Sequence, residues 1–236
     1  MNETARHSGL FVTGTDTGVG KTLVACALIR LHAARGLRAA GMKPVASGAL
    51  HDGAAWRNED ADALRRAANV ALPEHLLNPY LFKSATAPHL AAEEEGIAID
   101  LDHLERCYRD IGRAAEVVVV EGAGGFIVPL DAASNSDDFV ARLGLPVVLV
   151  VGIKLGCINH ALLTQQAILA KPLRLAGWVA NRIDPDEPYA QAMVDSLRPR
   201  IRAPLLGCLP WSPAMDADHA ARLLDPAALG LAAHAA

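Results

Sequence analysis

The residues best equipped for chemistry begin with Gly14-Thr15-Asp16-Thr17-Gly18-Val19-Gly20-Lys21-Thr22, set between the apolar run Leu10-Phe11-Val12 and the helix-like Leu23-Val24-Ala25-Cys26-Ala27-Leu28-Ile29. A strand, a glycine-rich loop and a helix in that order make a phosphate cradle. Small residues let the loop wrap tightly enough for its N–H groups to converge, and the helix N-terminus adds partial positive charge. Lys21 would reach the outer phosphates of a triphosphate, and the Thr22 hydroxyl would ligate Mg²⁺. The loop is a variant of G-x-x-x-x-G-K-[ST], with Thr15 where that pattern has glycine and Gly14 one residue early.

Glu121 follows Val117-Val118-Val119-Val120 directly, so it is an acidic residue at a strand end, suited with Thr22 to the oxygen ligation of a hard cation. Behind it, Gly122-Ala123-Gly124-Gly125 is side-chain-poor and allows close approach by a ligand. Asp60 is a third metal candidate, although it or Asp62 could merely cap the helix expected over residues 59–68. Lysines are few: Lys21, Lys43, Lys83, Lys154 and Lys171. Lys43 precedes Pro44, which keeps the backbone extended and aims the side chain from a strand end. A compact ammonium there could neutralise a transferring phosphoryl group or an anionic intermediate. Ser47-Gly48 could add a hydroxyl and a close backbone contact, or form a simple turn.

The segment Gly152-Ile153-Lys154-Leu155-Gly156-Cys157-Ile158-Asn159-His160 joins a buried strand to a helix. Its amides form a second anion site that could hold a carboxylate. Asn181 ends a strand with both donor and acceptor capacity, which suits a purine edge, as does Pro210-Trp211-Ser212 at the next strand end.

These positions need a scaffold that gathers strand ends. Strands are expected at residues 10–12, 38–44, 117–120, 146–151, 175–181 and 205–210, with helices at 23–34, 59–68, 161–170 and 189–197. Trp178 is expected in the core. Alternating strands and helices imply an α/β fold, a parallel, doubly wound sheet with helices on both faces and ligands at the carboxyl ends of the strands. Residues 1–236 are expected to form a single phosphate-loop NTPase-type domain, with 1–8 and 227–236 as frayed ends.

The chain has 236 residues, 52% hydrophobic and 4% aromatic, so its core is built from Ala, Val, Leu and Ile, as suits buried parallel strands. A net charge of −4 gives no basic footprint and argues against nucleic acid. Cys26, Cys107, Cys157 and Cys208 are scattered, without zinc or redox spacing, and are expected as buried thiols in a reducing cytoplasm. The polar N-terminus is not expected to act as a signal peptide, and no apolar run reaches the roughly 20 residues of a membrane helix.

Together the segments resemble the dethiobiotin synthetase family: GTDTGVGKT at 14–22, KPVASG at 43–48, RNED at 57–60, NPY at 78–80, PH at 88–89, VEGAGG at 120–125, VVGIKLGCINHA at 150–161, GWVAN at 177–181 and APLLG at 203–207. The resemblance implies a homodimeric, ATP- and Mg²⁺-dependent enzyme of biotin synthesis. Its substrate would be 7,8-diaminononanoate, closed with CO₂ to dethiobiotin through a carbamate and a carbamic–phosphoric anhydride. By the same resemblance Lys43 is the active-site lysine beside Lys21, Ser47 binds substrate, and Thr22, Asp60 and Glu121 hold Mg²⁺. Thr17, Gly18, Val19, Gly20, Lys21, Thr22 and Leu23 would cradle the phosphates, with Gly122, Ala123 and Gly124 beside them. Asn181 and the adjoining Arg182, with Pro210, Trp211 and Ser212, would hold the adenine. Gly156, Cys157, Ile158 and Asn159 would reach the substrate carboxylate in the partner subunit. Gly18 departs from relatives that carry an acidic residue there. A ParA/MinD-like regulatory ATPase is the main alternative, and Asp16 stands where its second lysine would fall. A non-catalytic nucleotide-binding module is another, against which the full set of lysines and carboxylates argues.

Overall fold

The computed structural model describes residues 8–230. In chain order its elements are β1 (Ser8–Gly14), α1 (Lys21–Ala33), β2 (Ala39–Met42), β3 (Val45–Ala46), β4 (Leu50–His51), β5 (Trp56–Arg57), α2 (Glu59–Ala67), α3 (Glu74–Leu77), β6 (Tyr80–Leu81), α4 (Pro88–Glu94) and α5 (Leu101–Ala114). There follow β7 (Val117–Glu121), α6 (Ser136–Leu143), β8 (Val147–Ile153), α7 (Cys157–Ala170), β9 (Leu175–Arg182), α8 (Ala190–Leu197), β10 (Leu205–Leu209) and α9 (Ala217–Leu223). Six strands form a parallel sheet in the order β10-β9-β8-β1-β7-β2, the expected α/β architecture. Two small ribbons, β3 with β6 and β4 with β5, stand apart from it.

The valine run of β7 shows why the sheet is sandwiched. Side chains alternate across a strand, so Val117 and Val119 join one core with Val24 and Leu28 of α1, Leu64 of α2 and Ala220 of α9. Val118 and Val120 join the other, with Leu104 and Ile111 of α5, Phe139 of α6 and Val194 of α8. Both faces are dry, which accounts for an uninterrupted β-branched sequence. Trp178 is fully buried, as expected.

Residues 157–160, expected within a connecting segment, instead form the first turn of α7. Gly156 adopts a left-handed conformation (φ 92°) that turns the chain directly into the helix. Ser8, expected among frayed residues, is paired with the sheet, its N–H donating to Glu116 O at 2.8 Å. Residues 227–230 form a turn closed by Gly230 N donating to Ala227 O. Residues 1–7 and 231–236 lie outside the described residues. Cys26, Cys107 and Cys157 are buried and all four cysteines are free thiols, with burial pushing Cys26 up to about 12. Among the described residues no helix is long and apolar enough to cross a membrane.

His32, in the last turn of α1, is 4% exposed, and neither ring nitrogen has a hydrogen-bond partner. Desolvation lowers its pKa from 6.5 to about 4. Above pH 6.5 the ring is neutral in both folded and unfolded chains and contributes no pH dependence. As pH falls from 6.5 toward 4 the unfolded chain takes up a proton that the fold refuses. Stability then drops by about 1.4 kcal/mol per pH unit, to a total of about 3 kcal/mol. His32→Leu is therefore expected to flatten the acid limb of stability, measured as urea midpoints at neutral pH and near pH 4.5. A limb of unchanged steepness would show that the buried ring is charged.

Candidate active site

The phosphate loop, Lys43, Glu121, Asn181, Gly156 and residues 210–212 each lie at or just past the carboxyl end of a strand of the parallel sheet. β1 ends at Gly14 and α1 begins at Lys21, leaving a loop whose Gly18 (φ 74°) and Gly20 (φ 93°) are left-handed. Thr15 N donates to Val150 O at 3.0 Å, tying the loop to β8. Asp16 Oδ1 accepts from Thr17 N at 2.8 Å, and Asp16 O accepts from Lys21 Nζ at 2.9 Å. Asn181 Nδ2, at the end of β9, donates to Val19 O at 2.9 Å and braces the loop from below.

Asp60 is placed by a helix cap. Asn58 Oδ1 accepts from Asp60 N and Ala61 N at 3.1 and 3.2 Å, so α2 starts with Asp60 in its first turn. Lys43 follows β2 and Glu121 closes β7, adjacent strands that bring ammonium and carboxylate together. Lys43 Nζ donates to Asp60 Oδ2 at 2.7 Å, Glu121 Oε1 at 2.8 Å and Gly122 O at 3.3 Å, using all three of its protons. Lys43 is 3% exposed and Glu121 is fully buried. Burial works against the Lys43 ammonium, but the charges of Glu121 and Asp60 outweigh it and hold its pKa above the ordinary lysine value. For Asp60 burial is likewise outweighed, here by the Lys43 charge and hydrogen bonds, and its carboxyl sits below the usual range. Lys21 is lowered, first by burial and then by repulsion from Lys43.

The donor count at this centre points to a cation. Thr22 Oγ1 lies 2.7 Å from Asp60 Oδ1 and 2.8 Å from Glu121 Oε1, yet a hydroxyl has one proton to give. Glu121 Oε2 is buried with no partner. One hydroxyl and two carboxylates converging, with lone pairs in excess of protons, fit Mg²⁺, which takes one or two carboxylates and completes its octahedron with water and phosphate.

The cleft above these groups has a volume of about 760 Å³. Thr17, Gly18, Gly20, Lys21, Thr22, Lys43, Ser47, Asp60, Glu121, Ala123 and Gly124 all line it. Ala85-Thr86-Ala87-Pro88, leading into α4, form a further part of its wall to which sequence reasoning gave no role, and Ser47 Oγ donates to Thr86 O at 2.7 Å beside it. Asn58 also lines the cleft and was missed; its position just before a run of acidic residues is the signature of a helix cap.

Other expected residues stand elsewhere. Val19 is buried beneath the loop, and Gly122 lies under the cleft floor, where an added Cβ would meet Phe11 at 2.8 Å. Leu23 opens with Thr22 onto a second groove, of about 480 Å³, between α1, α2 and the 215–218 segment. Arg182 donates to Gln191 at 2.9 Å. Pro210, Trp211 and Ser212 follow β10 outside the cleft, with Trp211 half exposed. Gly156, Cys157, Ile158 and Asn159 sit at the start of α7, also outside it.

A family model described as an AAA domain matches residues 8–219. The ATP-dependent dethiobiotin synthetase BioD of Janthinobacterium sp. (strain Marseille) is 50% identical over 219 residues, 91% of this chain and 93% of that protein. Among solved structures, the septum site-determining protein MinD complexed with Mg-ADP from Pyrococcus horikoshii OT3 superposes with a TM-score of 0.56 at 14% identity, covering 92% of this chain and 86% of that one. The MinD cell division protein of Aquifex aeolicus gives 0.55 at 15% identity, covering 90% and 86%. At such identities these two likenesses speak for the fold alone.

Proposed function

The chain belongs to the ATP-dependent dethiobiotin synthetase family, and from that membership we propose that its cleft joins CO₂ to the two amines of 7,8-diaminononanoate, coupled to cleavage of ATP. It is an ATP-dependent ligase of biotin biosynthesis, and residues 1–236 act as one domain. One amine takes up CO₂ as a carbamate, whose oxygen attacks the γ-phosphorus of ATP and releases ADP. The second amine then attacks the carbamoyl carbon of the mixed anhydride, closing the cyclic urea and expelling phosphate.

The observation that carries this reading is the Lys43 ammonium, buried between Asp60 and Glu121 at the floor of a cleft that Lys21 also lines. Phosphoryl transfer asks for positioning and charge neutralisation, and two cations aimed into one cleft provide both. Lys21 meets the outer phosphates and Lys43 the oxygens that gain charge during transfer. Thr22, Asp60 and Glu121 hold Mg²⁺, which when bound neutralises phosphate charge. Ser47 and the 85–88 wall orient the diamine, excluding water from the anhydride. The nucleoside lies toward Asn181, Arg182 and residues 210–212. Gly156, Cys157, Ile158 and Asn159 of a second copy bind the substrate carboxylate, so the working form is a cytoplasmic homodimer.

Purified chain supplied with MgATP, 7,8-diaminononanoate and radiolabelled bicarbonate is expected to fix label into acid-stable dethiobiotin in step with phosphate release. Phosphate release without fixed label would refute the ligase reading and leave an ATPase with another acceptor.

A further inference from the structure

The segment Asn78-Pro79-Tyr80 takes no part in the chemistry above, yet it encloses the backbone of Lys43. Lys43 N donates to Leu77 O at 2.7 Å, and Asn78 Nδ2 donates to Lys43 O at 2.7 Å and to Tyr80 O at 3.0 Å. Pro44 O accepts from Tyr80 N at 3.2 Å, and β3 continues the contact by pairing with β6. Asn78 is 5% exposed, and its Oδ1 is buried without a partner. That orientation is forced, because turning the amide over would set its oxygen against two carbonyl oxygens.

We propose that Asn78 is a positioning residue for the reaction: its amide clamps the Lys43 carbonyl and so fixes where the Lys43 ammonium sits in the cleft. This rests on the role given to Lys43 above. The ammonium lies at the end of a four-carbon stem with several rotatable bonds, and its three acceptors are spread over α2 and the end of β7. Such a group is aimed only as well as its Cα is anchored. The next residue is Pro44, which has no N–H, so the peptide following Lys43 is held through its carbonyl. Asn78 supplies that bond and, through Tyr80 O, ties it to the ribbon that carries Ser47 toward the same cleft. An asparagine does this with its two amide protons while bringing no charge near Lys43.

The test uses Asn78→Ala and Asn78→Asp, the second keeping side-chain size but lacking the NH₂ group, each checked by thermal melting. Both are also built on Lys43→Ala. Folded Asn78 variants are expected to lose kcat by about 10- to 100-fold with the KM for ATP changed less than about twofold, as when a transition-state contact is misplaced. On the Lys43→Ala background they are expected to cause no further loss, since a clamp with nothing to aim has no effect. Either folded variant with wild-type kcat, or a further loss of the same size on the Lys43→Ala background, overturns the proposal. Failure of both to fold would assign Asn78 to stability and overturn it too. If Lys43→Ala is itself active, the role of Lys43 falls, which is a separate result.

Discussion

Lys43→Ala is expected to lower turnover by about 10³-fold while ATP still binds. The ammonium is held by three acceptors and lines the cleft, so in the variant water can take its place but brings no charge. In the variant Glu121 is a buried carboxylate without its counter-charge, a state that proteins relieve by protonation. Two defects therefore combine: a missing cation at the transferring phosphoryl group, and a carboxylate less able to hold Mg²⁺. Lys43→Met, which preserves volume, separates them from simple loss of packing. The measurement is kcat beside the ATP dissociation constant. Near-normal kcat in either variant would remove Lys43 from the reaction, and loss of ATP binding with kcat intact would reassign it to the ground state.

In Gly20→Ala the empty loop is expected to relax out of the strained shape, so that binding ATP must restore it, which weakens affinity by about 30- to 100-fold. At φ 93° an L-residue is strained, at a cost of about 1–2 kcal/mol. An added Cβ would also stand 2.2 Å from Asn181 Nδ2. The amide must move, and its bond to Val19 O, the brace under the loop, is lost, for about another 1 kcal/mol. Gly20→Ala combined with Asn181→Gly clears the overlap but leaves the strained backbone and the missing brace, so titration with ATP should show incomplete recovery. Wild-type affinity in Gly20→Ala would show that the loop does not depend on this close approach.

The phosphate loop, Glu121 after its valine run and Lys43 before its proline were legible because each is a local pattern with one mechanical reading. The strands of the sheet followed from the same kind of run, and with them the prediction that ligands bind at the strands' carboxyl ends. The helix over 101–114, absent from the expected elements, was equally open to reading, since Leu101, Leu104, Tyr108 and Ile111 fall at helical spacing behind an Asp100 cap. The 85–88 wall was not legible. Ala85 and Ala87 carry no reactive group, the Thr86 hydroxyl stands in no quoted motif, and Pro88 entered only through the resemblance; the fold brings them to the cleft, where Thr86 O accepts from Ser47 Oγ across 39 residues. Asn78 is a similar case, a side chain whose use is fixed by carbonyls that the fold brings to it. The start of α7 was misplaced because Gly156 looks like loop in a sequence and acts as a helix start in space.

Because β1 lies between β7 and β8, the two wings of the sheet carry different parts of the site. Lys43 and Glu121 hang from the β2–β7 wing, while Asn181, residues 210–212 and the start of α7 hang from the other. Both cores run under the two wings alike, so a change on the β8–β10 margin reaches the reacting centre through packing as well as through the loop. The polar link between the wings is the loop itself, held by Val150 O, Lys154 and Asn181.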